Sequence, residues 1–361
     1  MALPAASWRA EPFPCPERPS VSLPLTAVTA IGESLVDVIV GSDGAPCAEH
    51  PGGSPMNIAL GLARLNRPVA LVTRIGDDAR GASIAEHVSE AGVTLAVGSV
   101  RDEPTSTATA FLGADGSAEY VFDLRWSLPI GLSVVDPILA GSGIVHVGSI
   151  GAFLEPGGST VVSLLRQLVE SEHPPLICFD PNMRPSIVTD HEAALARFEE
   201  VAALAAVVKL SDEDAEWLYP ELGLEAAVER ILRFGVGLAT VTLGSAGALL
   251  ATRSLRITVT GVAVEVADTI GAGDSFMSAL IDSVAGLRDE GVSTEALRTG
   301  RAFDAALLTD IGDYAVRCAA ITVSRPGANP PTRAEIGLPD RTSRVSSANE
   351  DVVEGHRGQS A

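Results

Sequence analysis

Short β-branched runs alternate with helix-patterned stretches along most of this chain, and no other feature constrains the fold as strongly. Val28–Ile31, Val69–Ile75, Ile144–Val147, Leu176–Phe179, Val207–Leu210 and Ala239–Leu243 read as strands. Met56–Leu65, Ile84–Ala91, Thr160–Val169, Glu192–Ala205 and Glu225–Phe234 read as the helices between them. Strands joined through a helix lie parallel, and a parallel sheet is covered on both faces. The repetition therefore predicts an α/β fold with a doubly wound, mostly parallel sheet.

Composition agrees with a core of that kind. Hydrophobic residues make up 46% of the 361 and aromatic residues only 4%, so Ala, Val, Leu and Ile must fill the interior. A net charge of −21 with no basic run repels a phosphate backbone, which argues against nucleic acid as a partner. Cys15, Cys47, Cys178 and Cys318 are widely spaced and form no CxxC pair, and no secretory leader or membrane-length apolar run is seen. A soluble protein of the reducing cytoplasm, away from membranes, is expected.

Residues 1–26 and 340–361 lack an apolar period and read as disordered tails, leaving one domain at 27–339. Two segments break the strand–helix rhythm. Leu35–Val40 alternates around Asp37, and Thr107–Leu112 and Ser117–Phe122 flank a Gly113-Ala114-Asp115-Gly116 turn. Segments at about 35–48 and 105–124 are therefore expected to form a small lid beside the main sheet, an edge hairpin without a role being the alternative.

Near the C-terminus, Asp268-Thr269-Ile270-Gly271-Ala272-Gly273-Asp274 feeds a small-residue helix at Met277–Val284. A glycine-rich helix start exposes backbone N–H groups at the positive end of the dipole, where an anion can approach Gly271, Ala272 and Gly273. Asp274 could merely complement that dipole. Beside an anion site, a carboxylate can instead take the proton of an attacking hydroxyl while the donors hold a transferred phosphoryl group. The segment is not a GxxxxGK[ST] loop, so a P-loop NTPase is excluded, and it gives little support to a dinucleotide site.

Asp268–Ala279 resembles the C-terminal signature of the ribokinase-like, PfkB carbohydrate kinase family, and Gly52-Gly53-Ser54-Pro55-Met56-Asn57 is similar to its N-terminal one. The resemblance covers nearly all of 28–331. It implies a three-layer α/β/α fold with a β-strand lid, and transfer of the ATP γ-phosphate to a hydroxymethyl group, with Asp274 as base. It also implies Asp37 (in Gly32-Glu33-Ser34-Leu35-Val36-Asp37), Gly52, Gly53 and Asn57 as sugar ligands; read alone, Asn57 could simply be solvated at a helix entry.

Asp180-Pro181-Asn182-Met183-Arg184 resembles the D-x-N-x-R element of fructokinases and 2-keto-3-deoxygluconate kinases, which implies that Arg184 meets phosphate or sugar; an Asp180–Arg184 ion pair is the alternative. Lys209-Leu210-Ser211-Asp212-Glu213-Asp214 is similar to the K-x-N-x-x-E element, with Ser211 and Asp214 departing from it and Glu213 available by a register shift. By resemblance, Lys209, Thr242, Gly244, Gly247 and Asn329 border the nucleotide. Asp214 and Asp268 are the expected metal residues, serving magnesium and, beside the loop at 325–331, potassium. Fructose is the first expectation for the sugar, ahead of 2-keto-3-deoxygluconate and ribose, with lid residues such as Trp126 setting specificity and a homodimer formed through the lid. A nucleoside kinase of this fold would need an apolar base pocket, and a non-catalytic relative would have lost Asp274 or the glycine run.

Overall fold

The computed structural model describes residues 27–41, 46–112, 118–128 and 137–339. The expected tails at 1–26 and 340–361, and the expected turn at 113–116, lie outside the described residues.

The main sheet has nine strands, in the spatial order Arg256–Thr260, Gly247–Ala251, Leu238–Thr242, Val207–Ser211, Leu176–Asp180, Ile144–Gly148, Val28–Ile31, Val69–Val72 and Thr94–Leu95. Neighbours are parallel except at the first two, which are antiparallel. The chain reaches Gly247–Ala251 from Leu238–Thr242 through the short turn Gly244–Ala246, and a connection that short permits only a hairpin. These two strands, and Pro46–Gly52 in the lid, were not expected from the sequence. The expected strand Val69–Ile75 is in fact two: Val69–Val72 stays in the main sheet, and Ile75–Gly76 pairs with Val100–Arg101 in a separate ladder.

Side chains alternate across the sheet as a pleat requires. Val28, Ala30, Ile144, Leu176 and Leu238 face a core built with helices Ser54–Arg64, Ala272–Asp289 and Ala305–Val323. Ile31, Val145, Val147, Ile177 and Phe179 face the opposite core, against helices Gly157–Val169, His191–Ala202 and Leu224–Arg233. The result is the three-layer α/β/α arrangement.

Four strands form the lid, in the order Pro46–Gly52, Leu35–Val40, Thr107–Leu112 and Ala118–Asp123. Leu35–Val40 runs antiparallel to the first and parallel to the third, so the small sheet is mixed. The winding of the main sheet reverses between Val28–Ile31 and Ile144–Gly148, which opens a crevice at their carboxyl ends, the place where open α/β sheets bind ligands. Among the described residues, no helix is long and apolar enough to cross a membrane.

Candidate active site

Two helix starts converge at that crevice. Helix Ser54–Arg64 begins after Gly53 and helix Ala272–Asp289 after Gly271, and neither start is capped by a side chain. Asp78, Asp190, Ser293 and Asp304 cap helices elsewhere in the fold. An uncapped start leaves first-turn N–H groups to find another acceptor. Gly53 has φ 118°, and a Cβ there would come within 2.6 Å of the Glu33 carbonyl oxygen, so only glycine fits this turn.

Asp274 lies in the first turn of its helix and is 9% exposed. Its Oδ1 accepts the Ser54 hydroxyl at 2.6 Å, and its Oδ2 accepts the Asn57 amide at 2.8 Å. A carboxylate oxygen carries two lone pairs, so each keeps room for one further donor. The helices approach closely enough for the Ser278 hydroxyl to donate to the Ile58 carbonyl at 3.1 Å. Asn57 was read from the sequence as a sugar ligand, and here its amide also positions the expected base. Ser54 was overlooked; its place between a glycine turn and Pro55, at the mouth of an uncapped helix, is the signal that could have found it.

Lys209, 4% exposed, donates to Asp180 Oδ2 at 2.8 Å across neighbouring strands. Burial disfavours its charge, but the carboxylates of Asp180, Asp214 and Asp274 outweigh that and hold its pKa above the ordinary lysine value. Burial pushes Asp180 up to about 6, against the pull of Lys209. A Cβ on Gly273 would stand 2.9 Å from the Lys209 Nζ, so the ammonium lies directly beneath the glycine-rich helix start. The Asp180–Arg184 pair weighed from the sequence does not form. Asp180 takes Lys209, and the exposed Arg184 donates to the carbonyls of Asn182 and Met183 in its own loop.

The remaining expected residues surround this centre. Asp37, exposed on the lid, packs its carboxylate against Gly52, and the surrounding lid raises its pKa while His50 opposes the rise. Thr242 ends a main-sheet strand opposite Ser211, with Gly244 in the turn after it and Gly247 opening the next strand. Asp214 is buried and its carboxylate accepts the backbone N–H groups of Met183 at 2.8 Å and Ser211 at 2.9 Å, making a capping box with Ser211. Glu213, the alternative by register shift, is exposed. Asp268 accepts the N–H groups of Ile270 at 3.0 Å and Gly327 at 2.9 Å, which hold its carboxyl below the usual range. Asn329 is bonded to Arg64, and its neighbour Ala328 packs against Gly271, bringing the loop at 325–331 onto the helix start. Among the described residues, no three His, Cys, Asp or Glu side chains gather into a metal cage.

A carboxylate held at an uncapped helix start, with a buried ammonium below it, is equipped to deprotonate a hydroxyl and to receive a phosphoryl group. Comparison with known proteins agrees. The model of the pfkB family carbohydrate kinases matches residues 26–335. This chain belongs to that family. It is 31% identical over 328 residues to the probable fructokinase-4 of Arabidopsis thaliana, covering 86% of this kinase and 95% of the relative. To the fructokinase of Escherichia coli it is 29% identical over 307 residues, covering 83% and 94%. The crystal structure of a Vibrio cholerae O395 fructokinase double mutant, in fructose-, ADP- and potassium-bound form, superposes with a TM-score of 0.69 at 26% identity, covering 87% of this chain and 98% of that one. The chain is thus a carbohydrate kinase, a phosphotransferase of ribokinase-like fold.

Proposed function

We propose that this kinase transfers the ATP γ-phosphate to the hydroxymethyl group of fructose, with Asp274 as the general base. The observation that carries the mechanism is the convergence of Ser54 and Asn57 on the two oxygens of Asp274 at the uncapped start of helix Ala272–Asp289. Fructose as the sugar is supported by the relatives, which are fructokinases from plants and bacteria.

In this reading Asp37, Gly52, Gly53 and Asn57 hold the sugar hydroxyls, and Arg184 meets the sugar or the phosphate from its loop. Asp274 accepts the hydroxymethyl proton as that oxygen bonds to the γ-phosphorus and the bond from phosphorus to the ADP oxygen breaks. Charge on the transferred group is met by the N–H donors of Gly271, Ala272 and Gly273 and by the Lys209 ammonium beneath them. Thr242, Gly244, Gly247 and Asn329 line the path of the nucleotide.

Magnesium supplies charge neutralisation on the ATP phosphates when bound. It prefers water and phosphate oxygens with one or two carboxylates, and Asp214 is the residue assigned to its water shell. Potassium is assigned to the turn at Asp268, whose carboxylate holds Gly327 at the start of the adjoining loop. A cytoplasmic setting, where ATP is at hand, belongs to the same reading.

The lid is the proposed dimer surface. Phe111, Leu112, Tyr120, Val121 and Phe122 are exposed on its two last strands, and the Tyr120 and Phe122 rings stack at 6.1 Å. Light scattering that gave a monomer at micromolar concentration would remove this part of the proposal. The activity itself is tested by a coupled assay over fructose, ribose, 2-keto-3-deoxygluconate and adenosine, with magnesium and potassium each withheld in turn. Fructose is expected to have the highest kcat/KM, and a nucleoside in that place would overturn the reading.

A further inference from the structure

Glu33 is a buried acid that the mechanism above does not use. It lies two residues beyond strand Val28–Ile31, after Gly32, at the point where the winding of the sheet reverses, and it is 5% exposed. Its Oε2 accepts the Gly151 N–H at 2.8 Å, and its carboxylate also bonds the Ser149 side chain. Both partners sit in the turn that leaves strand Ile144–Gly148, so one carboxylate ties together the ends of the two strands that flank the crevice.

That turn is under backbone strain. Ser149 has φ 52° and ψ −159°, a conformation that a residue with a Cβ adopts only where its surroundings enforce it. Its N–H donates to the Asp180 carbonyl at 2.9 Å, which connects it to the Asp180–Lys209 pair. On the far side of the turn the Gly151 carbonyl accepts the Trp126 indole N–H at 2.6 Å. Trp126 is 5% exposed and lies just beyond the last lid strand, Ala118–Asp123. The path runs from Glu33 through Gly151 to the return segment of the lid, while the backbone of Glu33 lies against the Gly53 turn.

We infer that Glu33 is a positioning residue that must be ionised to hold the Ser149–Gly151 turn, and through it Trp126, in the arrangement that completes the sugar site. An ionised carboxylate accepts both donors. A protonated one donates its own O–H to the Ser149 hydroxyl and accepts from Gly151 without charge, and bonds that are not charge-assisted are about half as strong, so the strained turn is held less tightly. The groups facing the carboxyl are the Gly151 N–H, the Ser149 side chain, its own backbone N–H and the Asp274 carboxylate from helix Ala272–Asp289. Burial raises its pKa to about 7; the hydrogen bonds oppose the rise and the charge of Asp274 adds to it. The proton is therefore gained and lost near neutrality.

This inference rests on the sugar-kinase reading for its kinetic arm, and a second readout keeps the two separable. In the full-length enzyme, kcat/KM for the sugar is expected to fall below about pH 7 in the wild type. Glu33→Gln keeps the shape but replaces the charge-assisted bonds with neutral ones at every pH, so at pH 8.5 it should already show a kcat/KM lowered at least about tenfold, mostly through KM, with no further fall near pH 7. In a Trp8→Phe/Trp217→Phe background the emission of Trp126 should shift through the same pH range, and Glu33→Gln should abolish the shift. A Glu33→Gln enzyme that kept the wild-type limb, or that matched wild type at pH 8.5, would overturn the inference, as would Trp126 emission that ignored pH. An enzyme that phosphorylated no sugar would instead defeat the functional reading, and the emission titration would still decide the role of Glu33.

Discussion

The amide of Asn57, in the first turn of one helix, donates to Oδ2 of Asp274, in the first turn of another, at 2.8 Å. The residues are 217 positions apart, and the packing of their helices against one face of the sheet brings them together. In the proposed mechanism Asn57 thereby acts on the group assigned to move the proton as well as on the sugar.

Asn57→Ala should therefore lower kcat by about 10- to 10²-fold, as misplacement of a catalytic group does, in addition to raising KM for the sugar. Asp37→Ala touches only the lid side of the site and should act mainly on KM. Steady-state kinetics of the two variants distinguish the roles. If Asn57→Ala left kcat intact, the hydrogen bond to Asp274 would have no catalytic weight.

The Gly-Ala-Gly-Asp run made Asp274 legible because its spacing states a local geometry, a tight turn entering a helix. The parallel strands were legible for a similar reason: Val28–Ile31 is a short run with β-branched Val, Thr and Ile stopped by Gly32, and it forms the strand with those bounds. Pro46–Gly52 was not legible, because Pro46, Glu49, His50 and Pro51 disfavour a strand and only pairing with Leu35–Val40 makes one. Gly247–Ala251 went unread because the turn before it was taken for a nucleotide loop alone. In the site, Lys209–Asp180, Ser54–Asp274 and Glu33–Gly151 are contacts between distant segments. No local pattern encodes them, since they follow from register and winding.

Arg67 carries a structural load away from the crevice. It donates to Asp282 at 2.6 Å and to Asp289 at 2.6 Å, with its own side chain 2% and that of Asp282 4% exposed. Without Arg67, buried Asp282 keeps the Tyr314 hydroxyl at 3.1 Å and Arg333 at 3.4 Å but loses its 2.6 Å ion pair. Arg67→Ala should cost about 1.5 to 3 kcal/mol in urea unfolding, the range for a lost hydrogen bond to a charged group, whereas a cost below about 1 kcal/mol would be that of a surface pair.

His146, fully buried on the central strand Ile144–Gly148, gives the protein an acid-sensitive component. Burial first, and then the charge of Lys209, push its pKa down to about 3. The unfolded chain takes up a proton below about pH 6.5 and the folded chain does not, so this contribution to stability is complete above 6.5 and is lost as pH falls toward 3. Between pH 7 and 4.5 the loss should be about 3 kcal/mol. His146→Leu should reduce the drop in unfolding free energy over that interval by about this amount. An unchanged drop would mean that His146 is protonated in the fold.

In the proposed mechanism Asp274 takes the proton, and single-turnover kinetics of Asp274→Asn test that role most directly. The change keeps size and leaves the backbone donors of Gly271–Gly273 in place while removing the proton acceptor. Turnover should fall by at least about 10²- to 10⁴-fold, with sugar and ATP binding, read by calorimetry, close to wild type. Retention of more than about a tenth of the wild-type rate, well above what loss of a general base allows, would contradict the mechanism.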